Sequence, residues 1–150
     1  MLKNILLLLL LILLFSCSKN DKENIVLEPT DETMAIASYE EAMDALKIGD
    51  AFFATKKFKE VESLMPQSNW AAKASLMASY SEYTRNAYES SIFGLERHVK
   101  NYPADENIPY AHYLIAICYY EQILDEKKDI QPLLKAKKKF EFIINTYPET

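Results

Sequence analysis

The amino-acid sequence predicts an all-α fold, a right-handed superhelix of about three helix pairs. Three observations predict it. One spacing recurs: counting back from Pro66, Gly49, Ala54, Phe58 and Val61 stand at 17, 12, 8 and 5 residues, and Asn86, Ser91, Leu95 and His98 stand at the same offsets from Pro103. Ala136, Phe140 and Ile143 repeat the last three offsets before Pro148. Steps of four and three place such residues on one helical face, and proline ends a helix because it lacks an amide proton and clashes with the preceding turn. An amphipathic stretch precedes each copy. Finally, 150 residues include only two glycines, and a chain rich in Ala, Leu, Lys and Glu favours helix over strand. The length suits one modest core.

Taken in order, the chain opens with Lys3 and an unbroken apolar run from Ile5 to Phe15. Eleven residues are too few for a membrane-spanning helix and right for a signal-peptide core. The run ends Leu14-Phe15-Ser16-Cys17-Ser18. By itself it also fits an ordinary secretory signal or a membrane anchor. With an aliphatic residue at −3, a small one at −1 and then cysteine, the junction resembles a bacterial lipobox. That resemblance implies cleavage before Cys17 and acylation of Cys17, with residues 1–16 as signal peptide. Ser18, in place of an aspartate, is permissive for the outer membrane. Several acyl chains hold a protein stably where one does not. Residues 17–31 are polar, contain Pro29 and lack periodicity, so they read as a lipidated tether with a reach of roughly 20 Å.

Residues 32–150 form the predicted helical domain, with repeats at about 35–68, 72–105 and 109–150. The first helix, Asp31 to Ile48, carries the stripe Ala35, Ile36, Tyr39, Ala42, Met43, Leu46. Gly49 breaks it, and the partner helix offers Phe53, Phe58, Val61 and Leu64 to the core. Ser68 is a suitable N-cap for a helix holding Trp70, Ala74, Met77, Ala78 and Tyr80. Tyr88, Ile92, Leu95 and Val99 line the next helix, and Pro109 suits the first turn of the one after. The segment Tyr110 to Leu124 is apolar nearly all round and is expected to be the most buried. Asp125 to Gln131 is a charged insertion, followed by a last helix from Pro132 to Tyr147. A solenoid end needs a polar outer face. Phe140, Phe142, Ile143 and Ile144 are therefore expected to be partly uncovered, unless residues beyond Thr150 or a partner cover them.

Composition excludes several functions. The formal charge is −5, or −6 without residues 1–16, and the pI is near 5.1. The only basic run, Lys135, Lys137, Lys138 and Lys139, is expected to face solvent, so no nucleic-acid footprint is present. His98, His112 and Cys118 lack metal-site spacing, and no phosphate loop, nucleophile elbow or other catalytic or cofactor motif occurs. His98 stands where a helix-interface residue belongs. Cys118 sits in an apolar helix and is expected to pack as a small hydrophobe rather than pair with Cys17.

The recurring small residue, Phe and Pro resemble the second half of a tetratricopeptide repeat. In such repeats the first helix of each pair lines a concave face. Carried onto this sequence, that face comprises Ile36, Tyr39, Met43 and Leu46, then Lys73, Leu76, Tyr80 and Tyr83, then Tyr110, Tyr113, Ile117 and Tyr120. About half of its six tyrosines are expected to be exposed. Tyrosine combines apolar area, a hydroxyl and few rotors, which suits binding of extended peptides.

The order of features is similar to the BamD family, the repeat lipoproteins of the outer-membrane β-barrel assembly machinery. The carrying residues are Cys17, then Tyr39-x-x-Ala42-x-x-x-Leu46-x-x-Gly49, Tyr102-Pro103, Ile108-x-Tyr110-Ala111-x-Tyr113, and Ala136-x-x-x-Phe140 leading to Tyr147-Pro148. The resemblance implies a non-enzymatic scaffold and receptor at the periplasmic face of the outer membrane, anchored by acyl chains on Cys17. Implied partners are the β-barrel assembly subunit, accessory lipoproteins and unfolded outer-membrane proteins. The family usually has about five repeats against three here, and its later repeats carry much of the docking to the barrel-forming subunit. A repeat lipoprotein serving another envelope machine, such as a secretin pilotin, is the alternative.

Overall fold

The computed structural model describes residues 30–123 and 129–149. Cys17, the signal peptide and most of the tether lie outside the described residues, as do Leu124 and residues 125–128 of the charged insertion. Six helices follow one another: α1 (Asp31–Lys47), α2 (Ala51–Leu64), α3 (Asn69–Thr84), α4 (Tyr88–Asn101), α5 (Ile108–Glu121) and α6 (Gln131–Thr146). Each packs on the next, and in addition α1 touches α3 and α3 touches α5. The first members of successive pairs therefore stand side by side.

Local chemistry sets the boundaries. The Thr30, Asp50 and Ser68 side chains accept hydrogen bonds from the backbone N–H groups of Thr33, Phe53 and Ala71, capping α1, α2 and α3. Pro109 sits in the first turn of α5. Gly49 and Asn86, both 17 residues before a closing proline, adopt left-handed backbone with φ of 85° and 62°. Glycine has no Cβ to oppose that conformation and asparagine tolerates it, which explains why these residues recur at one repeat position.

The core lies in two clusters. Ala35, Ala42 and Ala45 of α1 meet Ala54, Phe58 and Val61 of α2 and Ala74 and Ala78 of α3. Leu76 of α3, Ile92 and Leu95 of α4, and Ala111, Leu114, Ile115 and Cys118 of α5 form the second. Alanines let helix axes approach closely, and Phe58, wholly buried, fills the remaining gap in the first. The Cys118 thiol lies 3.5 Å from the Ser91 hydroxyl, inside the second cluster's helices.

Three expectations need correction. Phe53 is exposed rather than packed in the core, because the inward face of α2 runs through Ala54, Phe58 and Val61. The most enclosed helix is α3, with nine buried residues against seven in α5, since α3 is flanked by α2 and α4 and also meets α1 and α5. Small Ala and Ser side chains fill it, so hydropathy understates its burial. Leu76, assigned to the concave face, instead enters the second cluster because α3 has partners on both sides. On α6, Phe142 and Ile144 are exposed while Phe140 and Ile143 are half-buried.

Candidate functional site

Aromatic side chains gather on the neighbouring helices α3 and α5, each joined by one ring from the helix that follows it. The Tyr80 and Tyr83 rings on α3 lie 6.1 Å apart, and Tyr83 is 6.1 Å from Tyr88 at the start of α4. On α5 the Tyr110 and Tyr113 rings are 6.3 Å apart, and Tyr113 meets Phe140 of α6 edge-on at 6.4 Å. The two groups adjoin: burial, and then the nearby Tyr80, Tyr113 and Tyr83 phenols, raise the Tyr110 pKa above its ordinary 10.0. Tyr83 is raised by burial and by Glu121. These phenols stay protonated near neutral pH and can donate or accept hydrogen bonds.

Accessibility differs along this run. Tyr110, Tyr113 and Tyr120 are exposed, Tyr113 by 47% and Tyr120 by 57%, whereas Tyr80 and Tyr83 are half-buried. Tyr120 stands apart from the ring contacts among the described residues. Met43, Leu46 and Tyr80 line a cleft of about 380 Å³ between α1 and α3, with Thr84 and Arg85 at its edge. Ile117 is half-buried on α5.

Other face residues have different surroundings. Tyr39 turns into the core, where its ring meets Phe58 at 5.2 Å and Trp70 at 5.4 Å, both edge-on. Its stripe position on α1 is the one that faces α2 and α3. Lys73 is exposed, with its ammonium 5.8 Å from the centre of the Trp70 ring. Leu76, already noted, is core. Sequence reasoning did not include Tyr88, Phe140, Thr84 and Arg85 in the face. Tyr88 carried a core assignment, Phe140 was expected to be partly uncovered at the end of the last pair, and nothing in the spacing marks Thr84 or Arg85.

The arrangement offers apolar ring area with hydroxyl rims and few charges, suited to an extended chain rather than to bond-breaking chemistry. Among the described residues, no group of three or more His, Cys, Asp or Glu side chains is placed to hold a metal ion. No helix among them is long and apolar enough to cross a membrane. Sequentially packed helix pairs of this kind define an all-α, tetratricopeptide-like helical-repeat domain.

The profile of the YfiO family, described as "Outer membrane lipoprotein", matches residues 31–150. The chain belongs to this family of outer membrane lipoproteins. It is 35% identical over 112 residues to the outer membrane protein assembly factor BamD of Caulobacter vibrioides, a match covering 75% of this chain and 37% of that one. To the factor of the same name from Rickettsia prowazekii it is 31% identical over 97 residues, covering 65% and 39%. To that of Xylella fastidiosa strain Temecula1 it is 23% identical over 150 residues, covering 93% and 50%. The chain thus spans half or less of the length of these relatives.

Proposed function

We propose that the chain acts as an outer membrane protein assembly factor, a scaffold of the β-barrel assembly complex whose inner face holds extended segments of unfolded outer-membrane proteins. The observation that carries this reading is the run of rings from Tyr88 through Tyr83, Tyr80 and Tyr110 to Tyr113, on neighbouring helices, with Tyr110 and Tyr113 open to solvent. Barrel segments alternate apolar and polar side chains, with aromatic residues toward their ends. The rings would take the former and the phenol hydroxyls the backbone of such a segment. Met43, Tyr120 and Ile117 extend the wall, and Lys73 orients a terminal carboxylate by a charge-assisted hydrogen bond. The name shared by the relatives supports the reading, as does membership of a lipoprotein family. The barrel-forming subunit and accessory lipoproteins are the proposed partners, and acyl chains on Cys17 the proposed anchor at the periplasmic face.

Peptide titration tests the face. Tyr113→Ala and Tyr80→Ala should each weaken binding of a barrel-segment peptide by ~1–2 kcal/mol if the rings are anchors. Thermal unfolding is measured alongside, because half-buried Tyr80 also contributes to packing. Unchanged affinity in a folded double variant refutes the face. For the anchor, Cys17→Ser should abolish palmitate labelling and release the protein from the membrane fraction. Persistent labelling refutes that assignment.

A further inference from the structure

A second cleft lies between α5 and α6, with a volume of about 430 Å³, lined by His112, Tyr119, Lys135, Lys138, Lys139 and Phe142. We propose that it binds a phosphate-bearing anion, as a lipid headgroup or as free phosphate. Lys135, Lys138 and Lys139 are spaced i, i+3 and i+4, so α6 presents all three on one face. Lys137 points elsewhere and pairs with Glu141 at 3.7 Å. No carboxylate among the described residues lines the cleft. Among the described residues none of its three lysines has an ion-pair partner, though Glu96 and Glu89 act on Tyr119 from nearby. The Lys135 ammonium lies 5.1 Å from the Tyr119 ring centre, at the α5 side of the opening.

His112 lines the same cleft and points to a ligand independently of the lysines. It is only 8% exposed, and its Nδ1 is buried without a hydrogen-bond partner. Phe142, edge-on at 4.8 Å, and Tyr147, stacked at 6.2 Å, hold the ring. A buried polar nitrogen without a partner is costly; Nδ1 is closed to solvent, so a ligand oxygen would accept from it only after a small shift of the ring toward the cleft. Burial and the neighbouring Lys139 lower the His112 pKa, so the ring is neutral near pH 7 and donates as a hydrogen-bonding group rather than as a cation.

Three ammonium groups and one N–H around a single space suit a compact anion with several acceptor oxygens. Phosphate supplies these with up to two charges. A cation would be repelled, and a neutral apolar ligand would leave both the nitrogen and the ammonium groups unanswered. Tyr119 and Phe142 add apolar walls that a glycerol or acyl portion can cover, which favours the headgroup source.

The test titrates the full chain, in non-ionic detergent, with inorganic phosphate, soluble dihexanoyl phosphatidic acid and an acidic peptide of four glutamates. Binding is read by calorimetry and by the His112 imidazole resonances. Phosphate and phosphatidic acid should both shift those resonances and bind more weakly as salt rises. Lys135→Gln, Lys138→Gln and Lys139→Gln combined should cost about tenfold or more in affinity, while Lys137→Gln, outside the cleft, changes it by less than about twofold. Phosphatidic acid binding more tightly than phosphate assigns the lipid headgroup, and equal affinity assigns free phosphate. Three results overturn the proposal: no shift at His112 with either probe, equal affinity in the triple variant, or the acidic peptide binding more tightly than both phosphates.

Discussion

Gly94 is half-buried in the middle of α4, and its replacement by alanine tests how closely α3 and α4 approach. Helix propensity alone predicts that Gly94→Ala stabilises by ~1 kcal/mol. The structure opposes this, because a Cβ built there lies 2.4 Å from the Ser79 Oγ and 3.2 Å from the Ser79 Cβ. The hydroxyl must retreat by about 1 Å to reach ordinary contact. It is buried and donates to the Ser75 carbonyl at 3.0 Å, and the neighbouring Ser79 carbonyl accepts from Ser91 at 2.8 Å. Overpacking costs ~1–3 kcal/mol and a broken buried hydrogen bond a further ~1–3 kcal/mol. Net destabilisation of ~1–5 kcal/mol is expected after the propensity gain. Urea unfolding of the wild type, Gly94→Ala, Ser79→Ala and the double variant measures it. Removing the Ser79 hydroxyl should relieve most of the penalty, giving a favourable coupling of ~1 kcal/mol or more between the sites. A higher midpoint for Gly94→Ala alone, or additive effects, would refute the steric argument.

Two further substitutions separate core from surface and probe acid sensitivity. Phe58→Ala should cost ~3–5 kcal/mol in urea unfolding, whereas Phe52→Ala, at a ring 71% exposed, should cost no more than ~1 kcal/mol. Equal effects would place the α2 interface wrongly. Burial lowers the pKa of fully buried His98 below its ordinary 6.5, with Asp105 and Glu62 acting in the opposite direction and Arg97 adding to the lowering. The unfolded state therefore takes up the proton first on acidification. Stability is complete above pH 6.5 and declines as pH falls from there toward the folded-state value. His112, shifted in the same direction, adds to the decline. Unfolding midpoints at pH 7.5 and 5.5 should differ less in His98→Leu than in the wild type, and an unchanged difference would refute the role of His98.

The all-α class and the packing of successive helices were legible because they rest on period and punctuation. Ala54, Phe58 and Val61 recur at helical steps, Ser68 caps and Pro109 starts a helix, and the structure places each in that role. The inner face was less legible, because one helix of a stack has several neighbours and the sequence does not say which side each residue meets. Tyr39 and Leu76 satisfy the positional rule yet turn into the core. The lysines of α6 read as a solvated run, and only tertiary packing sets Lys135, Lys138 and Lys139 around a cleft with His112. Gly94 carried a faint signal, since an isolated glycine inside a helical pattern often marks close packing. The partner it makes room for, Ser79, could not be read from it.

Because α3 contributes to both core clusters, the domain has no single centre. Its contacts run almost entirely between consecutive helices, and among the described residues α6, with Ala136 as its one buried residue, rests on α5 alone. In such a linear arrangement, resistance to local opening is distributed by position in the row. Amide hydrogens of α3 would exchange last and those of α6 early. Tyr80 and Tyr83 thus stand on the most persistent helix, while Tyr113, edge-on to Phe140, borders the segment that opens most readily. On that expectation one wall of the aromatic surface would hold its place longer than the other.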